Sequence, residues 1–176
     1  MKEYDLHQLL ASHELVKQKI ENLLKSGLLK KQEIDPEEIK GHLEKADHNL
    51  KFVFENIKLG FFGWSITGCY YASYHAALSL ILTKGYSSKN HLATMCVLIQ
   101  EFYAKKLISK EEIEILSSFI DYQDLLFYVE SKNKREHATY STQTRFDKKE
   151  AEQIHMKAIL FVNKCKSILK TANIVF

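Results

Sequence analysis

The sequence predicts an all-α protein, an antiparallel four- to five-helix bundle with an extra N-terminal helix. Its 176 residues include one proline and six glycines, fewer than the tight turns of an all-β sandwich usually require. Hydrophobic residues make up 45% of the chain, which is typical of a protein with a packed core and unlike a disordered chain. Apolar residues recur at intervals of three and four, and no segment alternates convincingly at period two.

The first two predicted helices have recognisable ends. The first runs from about Asp5 to Ser26, and Gly27 can adopt the left-handed conformation that ends a helix. The second begins where Asp35 can act as the N-cap and Pro36 takes the first helical position, which needs no N–H. One long amphipathic stripe follows in this helix, formed by Ile39, Leu43, Ala46, Leu50, Val53 and Ile57.

The third predicted helix is uncharged from Phe61 to Leu82, long enough to span a bilayer. Its hydroxyl and imidazole groups, among them Ser65, Ser73 and His75, would be costly in hydrocarbon, so we interpret it as a central helix buried by its neighbours. The N-terminus has no apolar signal core. A cytoplasmic protein without a membrane span is expected, with three free, buried thiols at Cys69, Cys96 and Cys165.

Three more helices complete the predicted bundle. The fourth runs from about Ser88 to Lys105. The fifth opens with the capping box Ser109–Glu112, and the sixth opens at Asp147. Between the last two, residues 131–146 have little apolar periodicity and form the one long connection. We expect residues 1–34 to be an N-terminal helical extension and residues 35–176 to be the helix bundle.

The connection 131–146 carries all of the formal excess charge. The chain has 25 basic and 22 acidic residues, a net charge of +3, too small by itself to indicate a nucleic-acid-binding protein. Outside this connection 21 residues of each sign balance. Beside His137 and Tyr140 its cations are suited to a phosphate site; a solvated loop without a ligand is the alternative. The charged residues of the connection are Lys132, Lys134, Arg135, Arg145 and Glu136.

Two histidines and three tyrosines are further candidates. His75 and His91 can approach each other in a helical hairpin, but no His/Glu pair at metal-ligand spacing accompanies them, so we expect no metal and no cofactor. Tyr70, Tyr71 and Tyr74 form either a stacking platform for bases or, as their helical spacing in an apolar run favours, part of the core.

Several segments together resemble the HEPN superfamily, named after the nucleotide-binding domain of higher eukaryotes and prokaryotes. Gly68–Ala77 reads GCYYASYHAA, and Asn90 and His91 follow the next glycine, Gly85. REHATY, from Arg135 to Tyr140, fits the Arg-x-x-Ala-x-Tyr pattern of the small prokaryotic branch. The final helix is also similar. The resemblance covers roughly residues 37–169.

The resemblance implies a bundle that usually dimerises and is often a toxin partnered by a small nucleotidyltransferase. Active relatives are metal-independent RNases with an Arg-x(4–6)-His motif, in which the His is the acid/base and the Arg stabilises phosphate charge. Carried over to this sequence, His137 is the acid/base and Lys132 or Arg135 holds the phosphate. Further RNA or nucleotide contacts are assigned to Lys134, Tyr140 and Arg145, with Tyr140 a supporting hydroxyl or a modification target.

The motif differs from the family pattern in its spacing. Only one residue separates Arg135 from His137, and in a helix two steps rotate side chains by about 200°, onto opposite faces. Lys132 has the four intervening residues, but a lysine lacks the planar fork of arginine. Four hypotheses therefore remain open: a metal-independent ribonuclease, a non-catalytic nucleotide or RNA binder, a protein-interaction module, and an enzyme that uses His75 and His91 as metal ligands.

Overall fold

The structure, a computed structural model, describes residues 5–120 and 147–172, and in these residues the fold is all-α with one small sheet. A π-helical turn, Ile99–Tyr103, continues directly from α5. Strands β1 (Leu29–Lys31) and β2 (Tyr86–Ser88) form the sheet. The helices are α1 (Leu6–Ala11), α2 (His13–Lys25), α3 (Pro36–Lys58), α4 (Phe62–Leu82), α5 (His91–Leu98), α6 (described over 110–120) and α7 (Lys148–Thr171).

Three predicted helix starts are confirmed by their capping hydrogen bonds. The Asp35 carboxylate accepts from the Glu37 N–H at 2.9 Å, with Pro36 in the first turn. Before α6, Ser109 and Glu112 cap each other reciprocally: each backbone N–H donates to the other's side chain, at 2.7 and 3.3 Å. Asp147 caps α7. These bonds satisfy N–H groups that a helix start otherwise leaves unpaired.

The predicted first helix is divided into α1 and α2 at Ser12. This residue is extended, with φ −131° and ψ 100°, and its hydroxyl accepts from the Leu15 N–H at 3.2 Å. Serine side chains compete with backbone partners in this way, so the residue acts as an N-cap inside an otherwise helical pattern. After α2, Gly27 has φ +73°, the predicted left-handed stop.

The small sheet was not predicted. β1 and β2 pair antiparallel, with Leu29 opposite Ser88 and Lys31 opposite Tyr86. A strand of three residues is too short for a period-two pattern to appear in the sequence. The pairing joins the N-terminal segment to the connection between α4 and α5, where the sequence predicted the start of a helix at Ser88.

Helix α4 is the centre of the fold and contacts α3, α5 and α7. Fifteen of its 21 residues are buried, which confirms the interpretation of the uncharged run as a central helix. No helix in the described part of the chain combines the length and hydrophobicity needed to cross a membrane. The three cysteines are buried free thiols, as expected, and burial raises the pKa of Cys69 and Cys96 to about 12.

Candidate functional site

A close contact between α3 and α4 sets the position of the motif helix. A Cβ atom built on Gly68 would lie 2.6 Å from Cγ2 of Val53 and 3.0 Å from Cδ1 of Phe52. These separations are shorter than a van der Waals contact. Only a residue without a side chain therefore lets α3 approach this part of α4.

On another side of α4, Tyr70 pairs with the first residue of α5. The Tyr70 hydroxyl lies 2.7 Å from Nε2 of His91. Asn90 caps α5 through the Ala93 N–H at 2.9 Å, and its own N–H donates to Ser88 Oγ at 2.9 Å. This local network holds the start of α5, and with it the His91 ring, against α4.

Two of the three tyrosines belong to the core. Tyr70 and Tyr74 are buried and stack with ring centroids 5.7 Å apart, and the Tyr74 hydroxyl lies 3.4 Å from Thr94 Oγ1. Burial raises the pKa of Tyr74. Tyr71, whose ring meets that of Tyr70 edge-on, is 43% exposed. Of the proposed stacking platform, only Tyr71 therefore presents much of its ring to solvent.

A pair of histidines joins α3 to α4. Nδ1 of His42 and Nδ1 of His75 lie 2.8 Å apart, and both rings are half-buried. Two lone pairs would repel at this distance, so one ring carries its proton on Nδ1 and donates to the other. Burial lowers the pKa of His75 to about 4, helped by His42 and Lys45, and burial followed by Lys45 lowers the pKa of His42. Both rings are therefore neutral at pH 7.

In the structure, the rings of His75 and His91 have different partners. His75 pairs with His42, while His91 pairs with Tyr70 and meets the Tyr74 ring at 5.0 Å. Across residues 5–120 and 147–172, no group of three His, Cys, Asp or Glu side chains is arranged to hold a metal ion. The sequence analysis missed His42, which lies beside the apolar stripe of α3; its position indicates partial burial but not its partner.

The predicted catalytic and phosphate-binding residues all fall in the connection between α6 and α7, outside the described residues. Their assignments stay predictions. The chain is described again from Asp147, the N-cap of α7. The residues concerned are Lys132, Lys134, Arg135, His137, Tyr140 and Arg145.

Comparison with known proteins places this arrangement in a family. The family model described as "HEPN domain" matches residues 39–168, about three quarters of the chain. The protein belongs to the HEPN family. The matched region starts inside α3, includes α4 with the Tyr70–His91 pair and the connection 131–146, and ends inside α7.

Two proteins of one organism are similar to this chain over most of their own length. "Putative toxin MJ0142" of Methanocaldococcus jannaschii is 27% identical over 139 residues, which are 78% of this chain and 86% of that protein. "Putative toxin MJ0605" of the same organism is 31% identical over 137 residues, 76% of this chain and 90% of that protein. The similarity therefore spans the helix bundle and not an isolated motif.

Proposed function

We propose that this HEPN protein is a toxin-like protein that binds RNA or nucleotide phosphates through the connection 131–146. The observation that carries the proposal is the near full-length similarity to two relatives whose names describe them as toxins. The family match also includes the connection itself. In this proposal Lys132, Lys134, Arg135 and Arg145 contact phosphates, and Tyr140 supplies a hydroxyl.

The chemistry of the described histidines supports the same assignment. His42 and His75 pair with each other and have lowered pKa values, so they supply no cation to a phosphate at neutral pH. His91 is engaged with Tyr70. The proposal therefore does not use these three histidines, and lysine and arginine supply the charge for the phosphate. The sequence of the connection contains four cationic residues and one carboxylate.

If the protein cleaves RNA, His137 acts as the acid/base and Lys132 or Arg135 stabilises the phosphate. The test is cleavage of single-stranded RNA by wild type, His137→Ala and the exposed control His48→Ala, all with a metal chelator present. We expect His137→Ala to lose activity by about 10²-fold or more, the usual contribution of general acid–base catalysis, and the control to keep it. Equal activity in wild type and His137→Ala would remove His137 from the mechanism.

Binding without cleavage is tested separately with ATP and single-stranded RNA at low salt. We expect Lys132→Ala/Arg135→Ala to weaken both, and to reduce the slope of log affinity against log salt by roughly 0.7 for each lost phosphate contact. Lys40→Ala, an exposed lysine on α3, is the matched control. If wild type binds neither ligand at low salt, electrostatic binding through the connection is refuted.

A protein-interaction module is the second candidate, favoured by large apolar side chains left exposed near the α3–α4 turn. Leu59 is 69% exposed, Phe61 53% and Trp64 59%. Apolar surface of this kind marks interaction sites when it is contiguous.

We further propose a homodimer and a small nucleotidyltransferase partner. Light scattering of the purified protein tests the first proposal, and a monomer would refute it. Co-purification with a nucleotidyltransferase encoded nearby tests the second, and failure to capture such an enzyme would refute it.

A further inference from the structure

A cavity of about 340 Å³ lies where the end of α4, the π-helical turn and the last turns of α7 meet. Its volume falls at the lower end of the range for small-molecule sites, about 300–1,000 Å³. It is remote from the Tyr70–His91 pair, since thirteen residues of α4, roughly 20 Å of helix, separate Tyr70 from Thr83. The lining residues include Lys84, Phe102, Lys106, Lys164, Ser167 and Ile168.

Three lysines line this cavity and no acidic residue does. Lys164 has Glu112 at 3.9 Å. Lys84 and Lys106 have no carboxylate within 4.0 Å among the residues that the structure describes. The carboxyl ends of α4 and α7 contribute about half a negative charge each. Glu101 also interacts with Lys84, but it is paired with Lys105 at 2.7 Å, so this pair adds no net charge. When Glu112 and the two helix ends are counted against the three ammonium groups, roughly one positive charge remains for a ligand.

The backbone at Lys106 has a conformation that is unusual for a residue with a side chain. Lys106 has φ +58°, the one positive φ outside glycine in the described residues. It closes the π-helical turn with a Schellman pair of bonds: its N–H donates to the Tyr103 carbonyl at 2.9 Å, and the Leu107 N–H donates to the Phe102 carbonyl at 2.9 Å. Glycine is the residue that fits this position without strain, yet the chain has a lysine.

The rest of the cavity wall is apolar. Phe102 and Leu169 are each 1% exposed and form its buried floor, while Leu107, which is 41% exposed, and the half-buried Ile168 present apolar surface to the cavity. Nζ of Lys84 lies 5.5 Å from the centre of the Phe102 ring, which places a cation above the apolar wall. Ser167 is exposed at the rim and offers a hydroxyl. A ligand that fits this wall combines an anionic head with an apolar or planar body.

We propose that this cavity is a binding site for a small phosphomonoester. Lys84, Lys106 and Lys164 hold the phosphate, which carries between one and two negative charges at neutral pH. The body of the ligand lies against Leu107 and Ile168. The site does not depend on the connection 131–146 or on any activity toward RNA. The competing explanation is that the lysines only neutralise the carboxyl ends of α4 and α7.

Calorimetric titration at low salt with AMP, inorganic phosphate and adenosine tests the proposal. The titrations use the Lys132→Ala/Arg135→Ala background, which removes the nucleotide site proposed in the connection 131–146. In this background we expect saturable binding of one AMP, weaker binding of inorganic phosphate and no binding of adenosine. Lys84→Gln and Lys106→Gly should each weaken AMP binding at least tenfold. Lys106→Gly should also raise the melting temperature because it relieves the positive φ, so its lost affinity cannot come from unfolding. Lys40→Gln is the matched control and should bind as the background protein does.

Three results would overturn the proposal. The absence of saturable binding of AMP and inorganic phosphate would leave the lysines with a helix-end role only. AMP affinity unchanged in Lys84→Gln and Lys106→Gly would place AMP elsewhere. Equal affinity for AMP and inorganic phosphate would exclude a contribution from the apolar wall. Lys132→Ala/Arg135→Ala separates this site from the proposed function, since it should keep full AMP binding in the cavity even where RNA binding is lost.

Discussion

Replacing Gly68 by alanine tests whether the close approach of α3 to α4 depends on the missing side chain. The new Cβ would lie 2.6 Å from Cγ2 of Val53 and 3.0 Å from Cδ1 of Phe52. Phe52 is 42% exposed, so its ring can rotate toward solvent. Val53 is fully buried and cannot. Its methyl group, or the helix that carries it, has to move by about 0.8 Å to restore an ordinary contact of 3.4 Å.

The expected cost follows from two opposing contributions. Overpacking of a core contact costs about 1–3 kcal/mol, and alanine recovers about 1 kcal/mol of helix propensity relative to glycine. Because Val53 is fully buried, we take the upper part of the overpacking range, about 2–3 kcal/mol. Gly68→Ala should therefore lower the free energy of unfolding by about 1–2 kcal/mol. In a chain of this length each kcal/mol corresponds to about 2–4 °C in melting temperature. The melting temperature should fall by roughly 2–8 °C.

Urea denaturation followed by circular dichroism measures this change, and Gly41→Ala provides the matched control. Gly41 lies inside α3 with no atom within 4 Å of a built Cβ. The same substitution there should raise the free energy of unfolding by about 0.5–1 kcal/mol. The two variants should thus shift stability in opposite directions. If Gly68→Ala is as stable as wild type while Gly41→Ala is stabilised, the close contact between α3 and α4 at Gly68 is refuted.

Three further predictions concern pairs of side chains. Between pH 6.5 and about 4, His75 binds more protons in the unfolded chain than in the folded one. The free energy of unfolding should therefore fall as the pH falls through this range, and His75→Gln should reduce this pH dependence. Asp47→Asn removes a pair in which Lys166 Nζ lies 2.5 and 2.6 Å from the two carboxylate oxygens; both groups are partly exposed, so the loss should be about 0.5 kcal/mol. Tyr70→Phe removes a hydroxyl 2.7 Å from His91 Nε2 and should cost about 1 kcal/mol.

Each of these predictions has an outcome that contradicts it. A pH dependence between 7 and 5 that is identical in wild type and His75→Gln would show that His75 titrates normally. If Asp47→Asn lowers the free energy of unfolding by more than about 2 kcal/mol, as a core substitution does, the ion pair is far more desolvated than its exposure indicates. A Tyr70→Phe variant with unchanged stability would show that the Tyr70–His91 bond contributes nothing measurable to the fold.

The helix starts could be read from the sequence because each depends on neighbours within three residues. Asp35, Ser109 and Asp147 cap their helices through N–H groups two or three positions away. Such bonds form whatever the rest of the chain does. The same rule, applied to Ser12, would have indicated the break between α1 and α2, but the apolar spacing on both sides continued the helical pattern.

The candidate sites could be predicted only where residue type and local pattern were informative. The excess charge of the connection 131–146 and the family resemblance were visible in the sequence, and family membership is confirmed by the match over residues 39–168. Residue roles within that connection stay predictions. The pairing of His42 with His75, 33 residues apart, was not predictable. It depends on the register of two helices, which is decided by their whole packed interface, including the close contact at Gly68.

The sequence by itself determined the fold class, the buried central helix and the location of the excess charge. Periodicity, capping and composition are local or summed properties, so they can be read without coordinates. Only the tertiary structure brought together Lys84, Lys106 and Lys164, which belong to three different segments. It also gave His75 and His91 different hydrogen-bond partners, His42 and Tyr70. Which side chains meet is decided by helix packing, because a shift of one residue between two helices changes every partner across their interface.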